Sequence, residues 1–255
     1  MIQTKIQDGI AEILLDSPPV NGITDEILAE LMATLRKAGD DPKVRAIVLG
    51  SALPGRFCAG LDLRQYRRRT PSEVHAIISK LYYQLHELQS SLPKPVIAAI
   101  AGSVRGGGMS ISITCDMIVA AEDATFGYPE MEVGLLPSIH YHHLHRIVGR
   151  YRAFDLLFTG RVFSAQEAMA LGLVGRIAPA DQVLDKAREL ARVFAAKSPE
   201  LMRLGKAAFT RAIDNGYRQG AGAAVDLICT VFGTADGAEG LAAFDEKRQP
   251  RWAAA

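Results

Sequence analysis

The chain has few cysteines, and those it has follow no recognisable pattern. Cys58, Cys115 and Cys229 are odd in number, far apart and without C-x-x-C spacing. That arrangement argues against a structural disulfide and is typical of reduced thiols in a cytoplasm-like compartment. The sequence therefore predicts a cytoplasmic protein without structural disulfides.

A strong net charge and long apolar runs are also missing. The chain has 29 Lys and Arg against 28 Asp and Glu, a net charge of +1. No strong field would therefore attract nucleic acid or an acidic membrane surface. No apolar run approaches the ~20 residues of a membrane span, and the first residues do not resemble a signal segment. We expect neither nucleic acid nor a membrane as a partner.

Nucleotide-binding motifs are absent as well. The sequence contains no G-x-x-x-x-G-K-[ST] and no G-x-G-x-x-G following a strand, so a Walker loop or a Rossmann site is poorly supported. What is present is 255 residues, 49% of them apolar and 22% charged. This composition is typical of a globular protein with one large domain, or one domain and a small appendage.

The first half of the chain alternates between strand-like and helix-like segments. Short apolar runs at 10–15, 44–49 and 95–100 predict strands, and apolar residues recur at helical spacing over 24–38 and 72–91. Alternation of this kind indicates the α/β class, in which helices cover a sheet.

From about residue 180 the pattern becomes entirely helical. Ser198-Pro199-Glu200 is a helix start, and one face of the predicted helix 198–215 is apolar. That face consists of Leu201, Leu204, Ala208 and Ala212. It must be buried against its own domain or against a neighbouring subunit. We therefore divide the chain into a core, residues 1–195, and a helical region, residues 196–255.

Two glycine-containing loops follow predicted strands. The first is GRFCAGLD at 55–62, and the second is GSVRGGG at 102–108, which leads into an apolar helix. A glycine triplet at a helix start exposes backbone N–H groups and lets a ligand approach the main chain, as an oxyanion or phosphate site requires. The alternative is that these glycines only allow close packing of a helix on a strand.

A carboxylate follows a proline in the segment FGYPE, residues 126–130. Apolar neighbours on both sides of Glu130 could raise its pKa and let it act as a base. The alternative is a solvated loop residue, which is the commoner environment of glutamate.

Taken together, the order of these motifs resembles the crotonase (enoyl-CoA hydratase/isomerase) superfamily. FCAGLDL is followed by AGSVRGGG, then by CDMIVAAEDATFGYPE and GLLP, within a similarity that runs from PPVNGI at 18–23 to the ending EGLAAFDEKRQPRW. The resemblance implies a ββα spiral core with a C-terminal helical trimerisation region. It also implies an acyl-CoA thioester substrate, no other cofactor, no metal, and a homotrimer or dimer of trimers.

The resemblance also assigns residues. Members of the family stabilise a thioester enolate with two backbone N–H groups, which fall here on Leu61 and Gly107. Glu130 matches a catalytic glutamate. The further positions that the match places at the substrate are Ala59, Gly60, Gly106, Ser110, Pro129 and Lys247, the last matching a lysine that meets the CoA phosphate.

One departure from the family pattern decides the predicted reaction. The hydratases use two glutamates, and the position of the first is Ser110 here, which has no useful acidity near neutral pH. With Glu130 alone, double-bond isomerisation of an enoyl-CoA is the leading prediction. The alternatives are hydration with a non-standard second acid/base, thioester hydrolysis, decarboxylation, and a non-catalytic acyl-CoA-binding protein.

Histidines cluster in PSIHYHHLH, residues 137–145. At helical spacing the four imidazoles fan around the axis, and no H-E-x-x-H accompanies them, so a zinc site is not expected. Only His140 and His143 point in similar directions. We predict that His140 lies on the buried side with Leu144, Ile147 and Val148. Its candidate role is the second acid/base group, and the alternative is a hydrogen-bonded histidine packed at the helix start.

Overall fold

Two β-sheets form the framework of the protein in a computed structural model, which describes residues 1–213 and 217–251. Within these residues, the strands are β1 Ile2–Gln7, β2 Ile10–Leu15, β3 Ala46–Ser51, β4 Gly55–Cys58, β5 Val96–Ile100, β6 Gly102–Arg105, β7 Met117–Ala121, β8 Thr125–Gly127, β9 Phe163–Ser164 and β10 Arg176–Ala178.

Helices connect the strands and make up the C-terminal part. Within the described residues, the α-helices are α1 Asp25–Asp40, α2 Leu63–Tyr66, α3 Pro71–Ser79, α4 Leu85–Ser91, α5 Gly107–Ile113, α6 His140–Val148, α7 Arg150–Thr159, α8 Ala165–Ala170, α9 Val183–Ala195, α10 Pro199–Ile213, α11 Tyr217–Phe232 and α12 Ala235–Asp245. Lys80–Gln84 forms a π-helical turn, and Pro129–Val133 and Ala180–Gln182 form 3₁₀ turns.

The chain winds as a spiral, because successive strands alternate between the two sheets. The larger sheet has the order β1-β2-β3-β5-β7-β10, and the smaller sheet has the order β4-β6-β8-β9. Three successive turns each place one strand in the larger sheet and the next in the smaller one, and the strands of adjacent turns pair in parallel. The loop that follows each strand of the smaller sheet therefore lies beside the equivalent loop of the next spiral turn.

The predicted strands are present, and α10 begins at Pro199, within the predicted helix start Ser198-Pro199-Glu200. β3 and β5 are buried along nearly their whole length, which fits strands covered on both faces. Thr24 caps α1, and Thr70 and Glu73 form a reciprocal capping box at α3.

The predicted continuous helix 72–91 is wrong in one respect. Its middle is the π-helical turn Lys80–Gln84, which adds a residue to the turn and changes which side chains face inward. Leu81 and Tyr82 of this turn are buried, and Leu81 approaches the Gly107 loop. The period of the apolar residues could not show an inserted residue, because helical spacing continues on both sides of it.

The C-terminal helices pack partly on the core. α9 lies against the larger sheet, α11 against α3, and α12 against the turn Pro129–Val133. Along α10, however, Leu201 is 70% exposed and Leu204 is 47% exposed. Within the described residues, Leu201 is therefore largely uncovered and Leu204 is about half covered by their own chain.

The predicted division at residue 195 and the trimerisation role of residues 196–255 stay predictions. The side chain of Ala212, the end of the predicted helix 198–215 and residues 252–255 lie outside the described parts. Among the described helices, none is long and apolar enough to cross a membrane.

Candidate active site

The two glycine loops meet at Gly60. This residue has φ +91°, and a Cβ placed on it would lie 3.0 Å from the backbone N of Gly107 and 3.1 Å from the carbonyl O of Arg105. A glycine is therefore required both by the left-handed backbone and by the close approach of the second loop. The sequence motifs FCAG and GGG are brought into direct backbone contact.

Two backbone donors stand on either side of this contact. Leu61, the residue after Gly60, forms a parallel β-bridge with Ile23. In this bridge Ile23 N–H donates to Gly60 O, and Asp62 N–H donates to Ile23 O. The N–H groups of Leu61 and Gly107 donate none of the turn, loop and cap hydrogen bonds found in the described residues. Neither N–H group is therefore occupied by one of these hydrogen bonds.

Asn21 holds the first loop in place, although the sequence motifs did not single it out. Its side-chain amide donates to the carbonyl oxygens of Leu15 and Phe57 and to the hydroxyl of Ser51. Its side-chain oxygen accepts from the N–H of Ser17. Asn21 is only 2% exposed and has φ +52°. An Asn-Gly pair is the one local signal that could have indicated such a left-handed residue.

Asn21→Ala should therefore destabilise the protein by about 2–4 kcal/mol, because several buried polar groups lose their partner together. The measurement is the free energy of unfolding from urea titration. Gln3→Ala is the matched control, since it removes an amide with one exposed hydrogen bond, to Asp16. A loss no larger than that of the control would contradict the role of Asn21.

Glu130 lies in the turn Pro129–Val133, with Pro129 at its first position. Its Oε1 would lie 3.4 Å from a Cβ placed on Gly106, so the carboxylate faces the second glycine loop. Its Oε2 is buried without a hydrogen-bond partner among the described residues. Burial raises the pKa of Glu130 from the ordinary 4.5 to about 7. A carboxyl group with this pKa can both take and return a proton near neutral pH.

Tyr128 is a second polar residue of this site that the sequence did not indicate. Its ring is fully buried, 4.5 Å between centroids from that of His140, and its hydroxyl has no partner among the described residues. Burial, and next the charge of Glu130, raise the pKa of Tyr128. It is a neutral hydroxyl near the carboxylate.

Ser110, His140 and His143 form a chain of contacts. Ser110 Oγ lies 3.4 Å from His140 Nε2, and His140 Nδ1 lies 2.8 Å from His143 Nε2. Burial lowers the pKa of His140 to about 3, against a weaker opposing effect of a hydrogen bond with the Gly106 backbone. The predicted proximity of His140 and His143 is confirmed, and both Ser110 and His140 are buried.

One prediction for the histidine helix is wrong. His140, Leu144 and Val148 form the buried side of α6, but Ile147 is 42% exposed. Ile147 faces a cavity instead of the packed core. Helical spacing gives the direction of a side chain, and it cannot show whether another element covers that direction.

That cavity has a volume of about 790 Å³ and lies between α4, α6 and α10. None of the residues predicted to be catalytic lines it, whereas His143, which contacts His140, does. Its lining also includes His86, Asp116, Arg146, Lys206 and Phe209. The cavity and the glycine-loop site are therefore distinct places joined through His143.

The remaining predicted residues, Ala59 and Lys247, are less closely associated with Glu130 and with the contact between the glycine loops. Ala59 is exposed and donates its N–H to Val20 O, and Lys247 is exposed beyond the end of α12. In the described part of the chain, Lys247 makes no side-chain hydrogen bond or ion pair. No group of three His, Cys, Asp or Glu residues that could hold a metal was found in the described residues.

Spiral turns whose glycine loops meet beside a buried carboxylate define the crotonase class of proteins. A family model described as Enoyl-CoA hydratase/isomerase matches residues 5–255. A probable mitochondrial enoyl-CoA hydratase 2 from Arabidopsis thaliana is 37% identical over 248 residues, covering 95% of this chain and 81% of that protein. The chain belongs to the enoyl-CoA hydratase/isomerase family.

Two further comparisons agree with this assignment. Mouse mitochondrial methylglutaconyl-CoA hydratase is 35% identical over 237 residues, covering 91% of this chain and 75% of that protein. The crystal structure of an enoyl-CoA hydratase from Bacillus anthracis is similar with a TM-score of 0.79 at 33% identity, covering 98% of each chain. The predicted fold class is confirmed, and the predicted enzyme class is confirmed at the level of the family.

Proposed function

We propose that the protein shifts the double bond of an enoyl-CoA thioester, with Glu130 as the single base. The thioester oxygen would accept hydrogen bonds from the N–H groups of Leu61 and Gly107 as it gains negative charge. Glu130 would remove a proton from one carbon and return it at another. The observation that carries the proposal is a carboxylate that faces the Gly106 loop with its Oε2 buried and without a partner, beside two backbone N–H groups that donate none of the loop and cap hydrogen bonds of the described residues. Burial raises the pKa of this carboxyl group to about 7.

Ser110 argues against ordinary two-carboxylate hydration. It is buried and contacts His140, at the position where the family's hydratases carry their other glutamate. A serine hydroxyl does not titrate near neutral pH and cannot replace a carboxyl group as an acid. A double-bond shift needs only one group that takes and returns a proton, which Glu130 supplies.

Hydration is the second candidate, because the two relatives compared above carry the name hydratase. In that case Ser110 and His140 together would orient the water or donate a proton in place of the missing carboxylate. Their contact at 3.4 Å makes this arrangement possible without any movement of α6.

A panel of CoA esters separates these candidates. We expect a 3-enoyl-CoA to gain conjugation, measured as absorbance of the 2-enoyl thioester, faster than a 2-enoyl-CoA loses it. Faster loss of conjugation would favour hydration. Release of free CoA, or loss of carbon dioxide from a carboxylated ester, would favour hydrolysis or decarboxylation. Tight binding without any change of ester would favour the non-catalytic alternative and contradict the proposal.

Several accompanying features are part of the same proposal. The reaction would need no cofactor besides the CoA of the substrate. Gly60, Gly106 and Pro129 would shape the thioester site, and the backbone of Ala59 would lie near the CoA adenine. Lys247 would meet a CoA phosphate. The homotrimer or dimer of trimers and the cytoplasmic location, expected above, likewise stay predictions.

A further inference from the structure

The C-terminal helix α12 lies directly against the turn that carries Glu130. A Cβ placed on Gly240, in the middle of α12, would lie 2.5 Å from the carbonyl carbon of Val133 and 2.6 Å from Gly134 Cα. Side chains do not approach a backbone this closely, so any larger residue at position 240 requires the turn or the helix to shift. Gly240 is buried, and the two backbones are therefore in direct contact.

This contact accounts for a residue that the helix itself disfavours. Glycine in the interior of a helix is less favourable than alanine, because it has more conformational freedom to lose on folding. Gly240 lies in the centre of α12, Ala235–Asp245, and is not among the described glycines with positive φ. The close approach to Val133 and Gly134 supplies the reason for a glycine at this position.

The part of the turn that Gly240 contacts is hydrogen-bonded to the backbone of Glu130. Gly134 ends the turn with φ +74°, and its N–H donates to the carbonyl O of Glu130. The next N–H, that of Leu135, donates to the same carbonyl O at 2.9 Å. A displacement of Val133 and Gly134 is therefore passed on to Glu130 through these hydrogen bonds.

The end of α12 is connected to the segment of the other half of the site. Asp245, the last residue of α12, forms an ion pair with Arg67, which caps the end of α2. α2 begins at Leu63, two residues after Leu61. One helix thus contacts the turn of Glu130 at its centre and is tied to the loop of Leu61 at its end.

The contact matters for Glu130 because the pKa of this residue follows its depth of burial. Burial is the larger of two influences on the pKa, and a hydrogen bond from the residue's own backbone opposes it. Three neighbouring titratable groups stay neutral near pH 7, because burial opposes their charged forms. These are Tyr128, His140 and Tyr141. Of the neighbouring carboxylates, Glu132 is exposed, and Glu239 of α12 is paired with Arg248.

We propose that Gly240 is a positioning residue for Glu130: through its contact with Val133 and Gly134, α12 sets the depth at which the catalytic carboxylate is buried. This inference rests on the proposed function. In this role α12 acts only through the turn, which it holds so that the carboxylate faces the Gly106 loop. Loss of the contact should both misplace the base and let water reach it.

Gly240→Ala tests the proposal, because the added Cβ separates the turn from α12. We expect kcat with a 3-enoyl-CoA to fall about 10²-fold, the usual effect of misplacing a reacting group by about 1 Å. The acid limb of the kcat/KM profile should also move by about one pH unit, from 7 towards the ordinary 4.5, since a carboxyl group that meets water loses the effect of burial on its pKa.

Gly39→Ala is the matched control for lost stability. Gly39 is a buried glycine near the end of α1, and a Cβ placed on it would lie 2.5 Å from Leu92 Cδ2. This variant should lower the free energy of unfolding, as Gly240→Ala does, but it should keep the wild-type kcat and the wild-type acid limb. Both variants are assayed at a temperature at which circular dichroism shows them to be folded.

A second pair of variants introduces no clash and decides the question if Gly240→Ala does not fold. Asp245→Asn removes the partly exposed ion pair with Arg67. Glu246→Gln removes an equal charge from the next residue, whose partner Arg248 lies just beyond the helix. We expect Asp245→Asn to lower kcat about threefold and to move the acid limb in the same direction as Gly240→Ala. Glu246→Gln should change neither quantity.

Stability reports on the same carboxylate without any substrate. Glu130→Gln should stabilise the wild-type protein more at about pH 8 than at about pH 4, because the substitution removes a buried charge only where the carboxyl group is ionised. In the Gly240→Ala background this difference between the two pH values should shrink. Urea titrations of the single and double variants measure it.

The position of the acid limb separates positioning from packing. If Gly240→Ala, or Asp245→Asn where the glycine variant does not fold, keeps the wild-type acid limb, the contact serves packing alone and the inference is wrong, even where kcat falls. The double-bond shift would survive that result. If the wild-type protein converts no enoyl-CoA, the proposed function is wrong, and the stability comparison then shows whether α12 sets the burial of Glu130.

Discussion

Glu130→Gln should lower kcat for the double-bond shift by about 10⁴-fold, with little change in the dissociation constant of a saturated acyl-CoA. Glutamine has nearly the shape of glutamate but cannot take a proton. It would also leave Gly106 and the two backbone donors where they are, since the carboxylate faces the glycine loop and its Oε2 accepts no hydrogen bond from the described residues. Stopped assays with 3-enoyl-CoA and calorimetric binding of the saturated ester measure the two quantities.

Glu132→Gln is the matched control for that experiment. Glu132 lies in the same 3₁₀ turn, two residues further on, and is exposed. Its neutralisation changes the net charge of the turn by the same amount and should leave kcat near the wild-type value. Equal losses in both variants, or undiminished turnover in Glu130→Gln, would show that Glu130 is not the base.

The raised pKa of Glu130 fixes the direction of the pH dependence. The base must be ionised, so kcat/KM should fall about tenfold for each pH unit below the pKa of about 7. His140 stays neutral over the same range because burial holds its pKa near 3, so it adds no second limb there. A profile without a fall near pH 7 would contradict this assignment.

The raised pKa of Glu130 makes stability change with pH in the direction opposite to activity: activity rises with pH, whereas stability falls. Because the folded protein holds the proton of Glu130 more tightly than the unfolded chain, stability falls as the pH rises from 4.5 to about 7. Above that range the full cost of the buried carboxylate is present. Glu130→Gln should therefore stabilise the protein by about 1–3 kcal/mol at about pH 8, and by almost nothing at about pH 4.

The sequence predicts those parts of the site that depend on neighbouring residues along the chain. Gly60 and the triplet containing Gly107 could be recognised because loops after parallel strands need glycine where backbones approach closely. The carboxylate of Glu130 could be recognised by its apolar neighbours and by the proline before it. In each case the local sequence left a structural alternative open, and the resemblance to the family assigned the predicted role.

Other parts depend on contacts between distant segments, which no local pattern contains. Asn21 contacts Phe57 across 36 positions, and Ser110 contacts His140 across 30. The proximity of His140 and His143 could be predicted, because residues three apart on a helix are neighbours. Their contact with Ser110, which joins them to the active site, depends on how α5 and α6 pack together.

Gly60→Ala should lower kcat by about 10³-fold, because it acts on both backbone donors at once. The new Cβ would lie 3.0 Å from Gly107 N and 3.1 Å from Arg105 O. Both neighbours are backbone atoms, which cannot rotate away as a flexible side chain can. The two loops must therefore separate, and an oxyanion can then no longer accept from the N–H groups of Leu61 and Gly107 together.

Gly55→Ala separates this effect from backbone strain. Gly55 starts the same strand-and-loop segment and has φ +67°, but a Cβ placed on it meets nothing within 4 Å. Both substitutions force alanine into the left-handed region, at about 1–2 kcal/mol each. The two variants should therefore lose a similar free energy of unfolding to backbone strain. Only Gly60→Ala pushes the loops apart, so its kcat should be about 10³-fold lower than that of Gly55→Ala. If Gly60→Ala is as active as Gly55→Ala, the enolate is not held between Leu61 and Gly107.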